Sequence, residues 1–406
     1  MKKVFLGAVL CLSITATFVS CSDNNDDPTE TPSATVDPNN FQGEINGDII
    51  LDASKVYYLK GKLVVKSGAT LTIPAGTRIV ASEGQVKDGV YSVPYLIVDR
   101  GGKLFVKGTA SSPVVFEGAE HKRGYWGGIV ILGKAPSNRS STGESKSELG
   151  DLTYGGTDKT DSSGEISYLV IKDSGFRYNP EKEFNGLSLF GCGSGTKVSY
   201  VFVSEGADDG IESFGGNPSY DHLVLIDNAD DQFDWTEGFS GTADYIYAKR
   251  TGKYANKFDD QGPGNRGIEA DTQDTNPETT FGNGASNPTI SNATFIGGGK
   301  NADSSVDTES QAFKLRAGTE GIFKNIVLAE WITGLDFETD RTFTWFTSGV
   351  KISDIRFVNV AKIWKAKATT ANTNPDLSTV FSINENATGA GSGVDLPTWA
   401  KGWTGL

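Results

Sequence analysis

The feature that most constrains this chain is a motif that returns with its acids in phase. Ala207-Asp208-Asp209-Gly210-Ile211-Glu212 recurs 22 residues later as Ala229-Asp230-Asp231-Gln232-Phe233-Asp234. The apolar run Tyr200-Val201-Phe202-Val203 recurs at the same interval as His222-Leu223-Val224-Leu225, and again at Asp244-Tyr245-Ile246-Tyr247. A fixed period in the low twenties, carried by short β-branched and aromatic runs, marks one coil of a strand solenoid. Stacked coils put residues one period apart in neighbouring parallel strands, roughly 4.8 Å from each other. Fifty glycines, and Asn/Asp/Gly clusters between the apolar runs, supply the turns such a coil needs and argue against a helical repeat.

Strand alternation then predicts a shared face. Glu212, Asp234 and Glu269 each follow an apolar residue of opposite facing, and Lys314 and Asp336 keep that phase 22 residues apart. The step from Asp234 to Glu269 is 35 residues, one period plus a 13-residue insertion placed in the Gly/Asn/Pro-rich stretch after Gly252. The expectation is an outward ladder of Glu212, Asp234, Glu269, Lys314 and Asp336, less regular above Glu269. Trp235, Trp331, Phe337 and Trp345 lie near it and are candidates for stacking on sugar rings or for packing in the core. Further insertions, at Pro136 to Asp161, Gly252 to Asn287 and Lys300 to Glu309, are expected to collect on one side as a binding rim.

The N-terminus reads as an export signal over residues 1–20: Met1-Lys2-Lys3, an apolar run from Val4 to Val19, then Ser20-Cys21. The run is too short for a membrane span. Phe18-Val19-Ser20-Cys21 resembles a relaxed lipobox, which makes Cys21 the expected lipidation site and a lipid anchor the only expected membrane contact. Residues 21–40 read as an acidic, Thr/Pro-rich tether. Its acidic start resembles the surface-export signal of Bacteroidetes lipoproteins. With Cys21 lipidated and Cys11 in the signal, Cys192 stands alone, and no disulfide framework is available. A formal charge of −14 argues against nucleic acid as a partner.

Leu63-Val64-Val65-Lys66-Ser67-Gly68-Ala69-Thr70-Leu71, Tyr95-Leu96-Ile97-Val98 and Trp126-Gly127-Gly128-Ile129-Val130-Ile131 resemble the opening coils of right-handed parallel β-helices in secreted bacterial proteins. Together with the Ala-Asp-Asp repeats and the ending Trp399-Ala400-Lys401-Gly402-Trp403-Thr404, the chain resembles a family of Bacteroidetes surface lipoproteins with a pectate-lyase-like β-helix. The resemblance implies an all-β, right-handed parallel β-helix over residues 41–385. Residues 386–406 are expected to cap the open end of the stack. It implies an outer-membrane, surface-exposed location and no defined reaction.

Three functions stay open. The first is non-catalytic binding of an extracellular glycan or peptide through Glu212, Asp234, Trp235, Glu269 and Asp336, accessory to an outer-membrane uptake transporter. The second is a calcium-dependent polysaccharide lyase, or another carbohydrate-active enzyme, with Lys314 or Arg316 as the base beside the acids. The third is a structural adhesin or spacer. Calcium is a candidate ligand of Asp208, Asp209, Asp230 and Asp231, with Glu212, Asp234, Asp259 and Asp260 nearby, because hard cations gather several oxygens. Those same Asp pairs are equally turn residues that bond their own backbone. Only His121 and His222 exist, without a Gly-x-Ser-x-Gly elbow, which disfavours a serine triad.

Overall fold

The computed structural model describes residues 36–150, 152–251, 266–273, 284–299, 310–367 and 381–406. The signal, Cys21, most of the tether, Asp259 and Asp260 lie outside the described residues, as does most of the two later insertions. The described chain is a right-handed parallel β-helix whose long sheet winds through three strand columns. One column, the site sheet, runs from Phe41–Ile45 through the second half of Val56–Val65, then Tyr95–Val98, Ile129–Leu132 and Leu187–Phe190. It continues through Ile211–Phe214, Asp231–Thr236, Arg266–Ala270, Gln311–Leu315, Thr333–Phe337 and Lys362–Ala366. The other two columns merge along the chain. Lys103–Lys107 and Val114–Gly118 are separate strands beneath the two halves of the single kinked strand Gly164–Lys172. From there the kinked strand repeats as Lys197–Ser204, Ser219–Ile226, Thr242–Lys249, Thr289–Ile296, Ile322–Ala329 and Ile352–Val358.

The core follows from alternation. Ile211, Phe233, Ile268, Phe313 and Leu335 stack in register on the inner face and are each 0% exposed. The interval to the third copy of the apolar run is one residue longer than the first, since Val201 pairs with Leu223 but Leu223 pairs with Ile246. The turn from Glu237 to Gly241 absorbs the extra residue, so the register survives and His222 stacks on Tyr245 rather than on Asp244.

Each kink is a left-handed residue: Tyr168, Tyr200, His222, Tyr245, Asn292, Asn325 and Asp354 all have φ between 50° and 57°. Asn and Asp tolerate that conformation, whereas aromatic residues there need support from outside the backbone. The aromatics supply it to one another. Tyr168, Tyr200, His222 and Tyr245 form a continuous stack with ring spacings of 4.3, 4.5 and 4.6 Å.

The C-terminal segment was expected to close the end of the solenoid; instead it runs along its side. Asn325 accepts the backbone N–H groups of Thr388 and Gly389, and Tyr247 donates to the Val394 carbonyl. Trp399 meets His222 edge-on at 4.7 Å, and Trp403 meets Tyr168 edge-on at 5.5 Å. The segment therefore crosses several coils, from the one carrying Asn325 back to the one carrying Tyr168.

Candidate functional site

The site sheet brings Glu212, Asp234, Glu269, Lys314 and Asp336 into a single register, with Ser188 before them and Lys365 after. The weaker step from Glu269 to Lys314 holds as direct pairing. Their surroundings differ from an open, solvated face. Glu212 and Asp234 are half-buried, Glu269 and Lys314 are buried, and Asp336 is 0% exposed. Asp336 therefore does not meet a ligand from solvent; it is held by Lys365 at 2.9 Å and by the Gln311 amide at 3.3 Å. Trp235 is likewise removed from the binding set. It alternates inward from Asp234, is 0% exposed, and donates its indole N–H to Thr319 at 3.1 Å. Trp331 and Phe337 are also core residues, and Trp345 sits beneath Lys351 and donates to the Gly321 carbonyl.

Above the strands the ladder opens into a cleft of about 370 Å³. Glu212, Asp234, Glu237, Asp271 and Arg316 line it from the coils, and Arg139, Lys146, Glu148 and Lys182 line it from inserted loops. Phe190 and Phe214, stacked at 4.0 Å, form its apolar end. The loop that follows Pro136 is anchored rather than free. Asn138 donates to the carbonyls of Thr272 and Gly284, while Ser137, Tyr154 and Arg139 all donate to the Glu237 carboxylate. Gly215 and Gly216, both at φ 67°, let the chain turn under this loop; a Cβ on Gly216 would lie 2.2 Å from the Cys192 carbonyl oxygen. Cys192 itself is a buried core residue whose thiol is pushed up by burial.

The carboxylates divide into two electrostatic groups. Burial pushes Glu212 well above its ordinary pKa, and Asp234 beside it adds to the shift. Burial does the same to Asp234, reinforced by Asp209 and Glu269 and opposed by Arg316. One Asp234 carboxylate oxygen is buried without a hydrogen-bond partner, whereas Glu212 accepts the Asn185 amide at 2.6 Å. Glu269 goes the other way. Burial opposes its ionisation, but Arg266 at 2.8 Å, Arg316 at 2.9 Å and Lys314 at 3.3 Å outweigh that and hold it low. Glu269 thus sits where the column turns cationic.

The Ala-Asp-Asp turns have a structural task. Asp209 accepts the backbone N–H of Asp231 at 2.8 Å, one coil on, and Asp231 in turn faces Arg266 at 3.3 Å. Asp208 and Asp230 are half-buried beside them. Burial raises Asp208, Asp209 and Asp231 well above the usual carboxylate range. Three carboxylate triads bring one oxygen per residue within 4.8 Å of the others: Asp208/Asp209/Asp230, Asp209/Glu212/Asp234 and Asp231/Asp234/Glu269. Their hard oxygen donors suit a calcium-like cation.

Sequence reasoning missed Asp271, Glu237 and the loop residues. Asp271 stands two residues beyond Glu269, and Arg316 two beyond Lys314, so alternation alone puts both on the ladder's face. Arg316 grips Asp271 at 2.7 and 3.0 Å. Nothing in the repeat points to Arg139, Lys146, Glu148 or Lys182, which reach the cleft only through folded loops.

Comparison with curated proteins gives no match. Among solved structures, the enzymatically active domain of tailspike protein 2 from bacteriophage CBA120 aligns with 80% of this chain and 42% of its own, at 11% identity and a TM-score of 0.27. The full-length tailspike protein 2 of an Escherichia coli O157:H7 bacteriophage aligns with 80% of this chain and 37% of its own, at 12% identity and a TM-score of 0.26. This chain thus spans less than half of either one. Residues 43–404 match the model of the pectate-lyase-like β-helix domain, and the chain belongs to that family.

Proposed function

We propose that this protein is a surface-anchored lipoprotein, held by lipid at Cys21, whose cleft over Glu212 and Asp234 binds an extracellular glycan without cleaving it. The observation that carries the reading is the cleft's lining: acid and base side chains in close alternation beside the stacked Phe190–Phe214 pair. Sugars present hydroxyls that need both donors and acceptors, and such a lining supplies both. Half-buried acids with raised pKa can donate as well as accept, which widens the hydroxyl patterns the cleft can satisfy. In this reading the protein hands its glycan to an outer-membrane transporter, and the tether sets its reach.

The lyase alternative is weaker on geometry. Lys314 is buried against Glu269 and does not line the cleft, and Arg316 is engaged by Glu269 and Asp271. A base must reach the proton it removes.

The test is a glycan panel probed with the intact protein, Glu212→Gln and Asp234→Asn. A retained glycan whose affinity falls about tenfold in either variant supports the cleft, since hydrogen bonds to such groups are worth that much. No retained glycan, or binding by both variants as tight as the parent's, removes it. New reducing ends or unsaturated sugars would replace binding by catalysis.

A further inference from the structure

We propose a second, separate binding site at the N-terminal end of the same sheet face, built for an acidic saccharide. The outer column of the site sheet runs Val64, Ile97, Val130, Ser188, Glu212. Lys62 precedes Val64 by two positions and so shares its face, and Lys60 stands where the strand crosses from the neighbouring column. With Tyr91, Tyr95 and Tyr178 they line a cleft of about 580 Å³.

Three observations point to an anionic ring as its ligand. First, among the described residues no carboxylate lines this cleft, in a chain with 51 acids and 37 Lys and Arg. Second, both lysines are exposed, and neither makes an ion pair among the described residues. Lys66, on the same strand's exit, shows the contrast by pairing with Asp99 at 2.5 Å. Third, the tyrosine rings are fixed in place. Phe184, 0% exposed, packs against Tyr95 at 4.7 Å and Tyr178 at 5.6 Å, and Lys62 lies across the strand pair from Tyr95 with its ammonium 5.8 Å from the ring centre.

Two hairpins build the walls. Gln85–Lys87 with Val90–Ser92 brings Tyr91, and Arg177–Asn179 with Lys182–Glu183 brings Tyr178. Rigid aromatic faces beside unpaired ammonium groups recognise a ring with C–H faces that carries a carboxylate or sulfate. The linings of this cleft and of the acidic one have no residue in common, so each site has its own test.

The experiment is titration calorimetry of the intact protein, in chelator, with matched neutral, uronate-bearing and sulfated oligosaccharides at low and high salt. The parent and Lys60→Ala/Lys62→Ala are compared; both lysines are exposed, and an unchanged melting curve shows that the variant folds. The expected result is binding of the acidic oligosaccharides alone, weakened by salt and about tenfold weaker in the double variant. Tyr178→Ala should weaken it as well, with the salt dependence kept. The uronate and sulfate arms show which anion is read. Glycan binding by the Glu212 cleft should persist in the double variant, so failure here leaves that reading intact. Absence of acidic binding, or acidic binding indifferent to Lys60 and Lys62, overturns the proposal.

Discussion

At the residue scale, Asp234 decides what the acidic face is. Its folded pKa is raised, so the folded state holds the proton more tightly than the unfolded chain does. Its contribution is therefore most favourable below the unfolded value of about 4, and is lost as pH climbs towards the raised value. In chelator, Asp234→Asn should therefore gain stability relative to the parent as pH rises above about 4. Glu269, held low by Arg266, Arg316 and Lys314, has the opposite sign. Thermal melts across pH read the difference between parent and variant directly. A cation seated among Asp209, Glu212 and Asp234 inverts the outcome, because the variant then loses a ligand and the stabilisation that binding supplies. Calcium that raises the parent's Tm but not the variant's establishes the metal; indifference to calcium with no loss in the variant removes it. The register of these residues was legible from their spacing. Their burial was not, because the loops that cover the ladder come from distant stretches with no period of their own. Trp235 shows the limit of reading by proximity: alternation turns it inward, away from the acid beside it.

At the element scale, the kinked strand is the unit that repeats, and the kink itself left a readable trace. Tyr200, His222 and Tyr245 occupy one left-handed position in successive coils, followed by Asn292 and Asn325. The change from rings to asparagines is a change of support, from stacking to amide bonds. Asn292 donates to Asp244 at 2.7 Å, and Asn325 donates to Asn292 at 2.7 Å. Tyr200→Ala removes two stacked neighbours and an edge contact while keeping an unfavourable backbone conformation. It should cost roughly 1–3 kcal/mol in denaturant unfolding, from the usual worth of aromatic pairs. Tyr200→Asn should recover part of that loss, since asparagine accepts the conformation. If alanine and asparagine proved equally mild, the stack would carry no stability.

At the scale of the whole molecule, a solenoid normally has contacts only between adjacent coils, and its ends fray first. The C-terminal segment breaks that rule by lying across the coils from Asn325 back to Tyr168. Truncation after Asn384 should leave the strand stack intact at low temperature. It should broaden the melting transition and raise hydrogen exchange in the kinked strands beneath Trp399 and Trp403. An unchanged, sharp transition would show the segment to be passive. A coil under that segment cannot peel away alone: releasing one requires lifting the tail from its neighbours too. The coils beneath it are thereby turned from a row of separable layers into a block that gives way together or not at all.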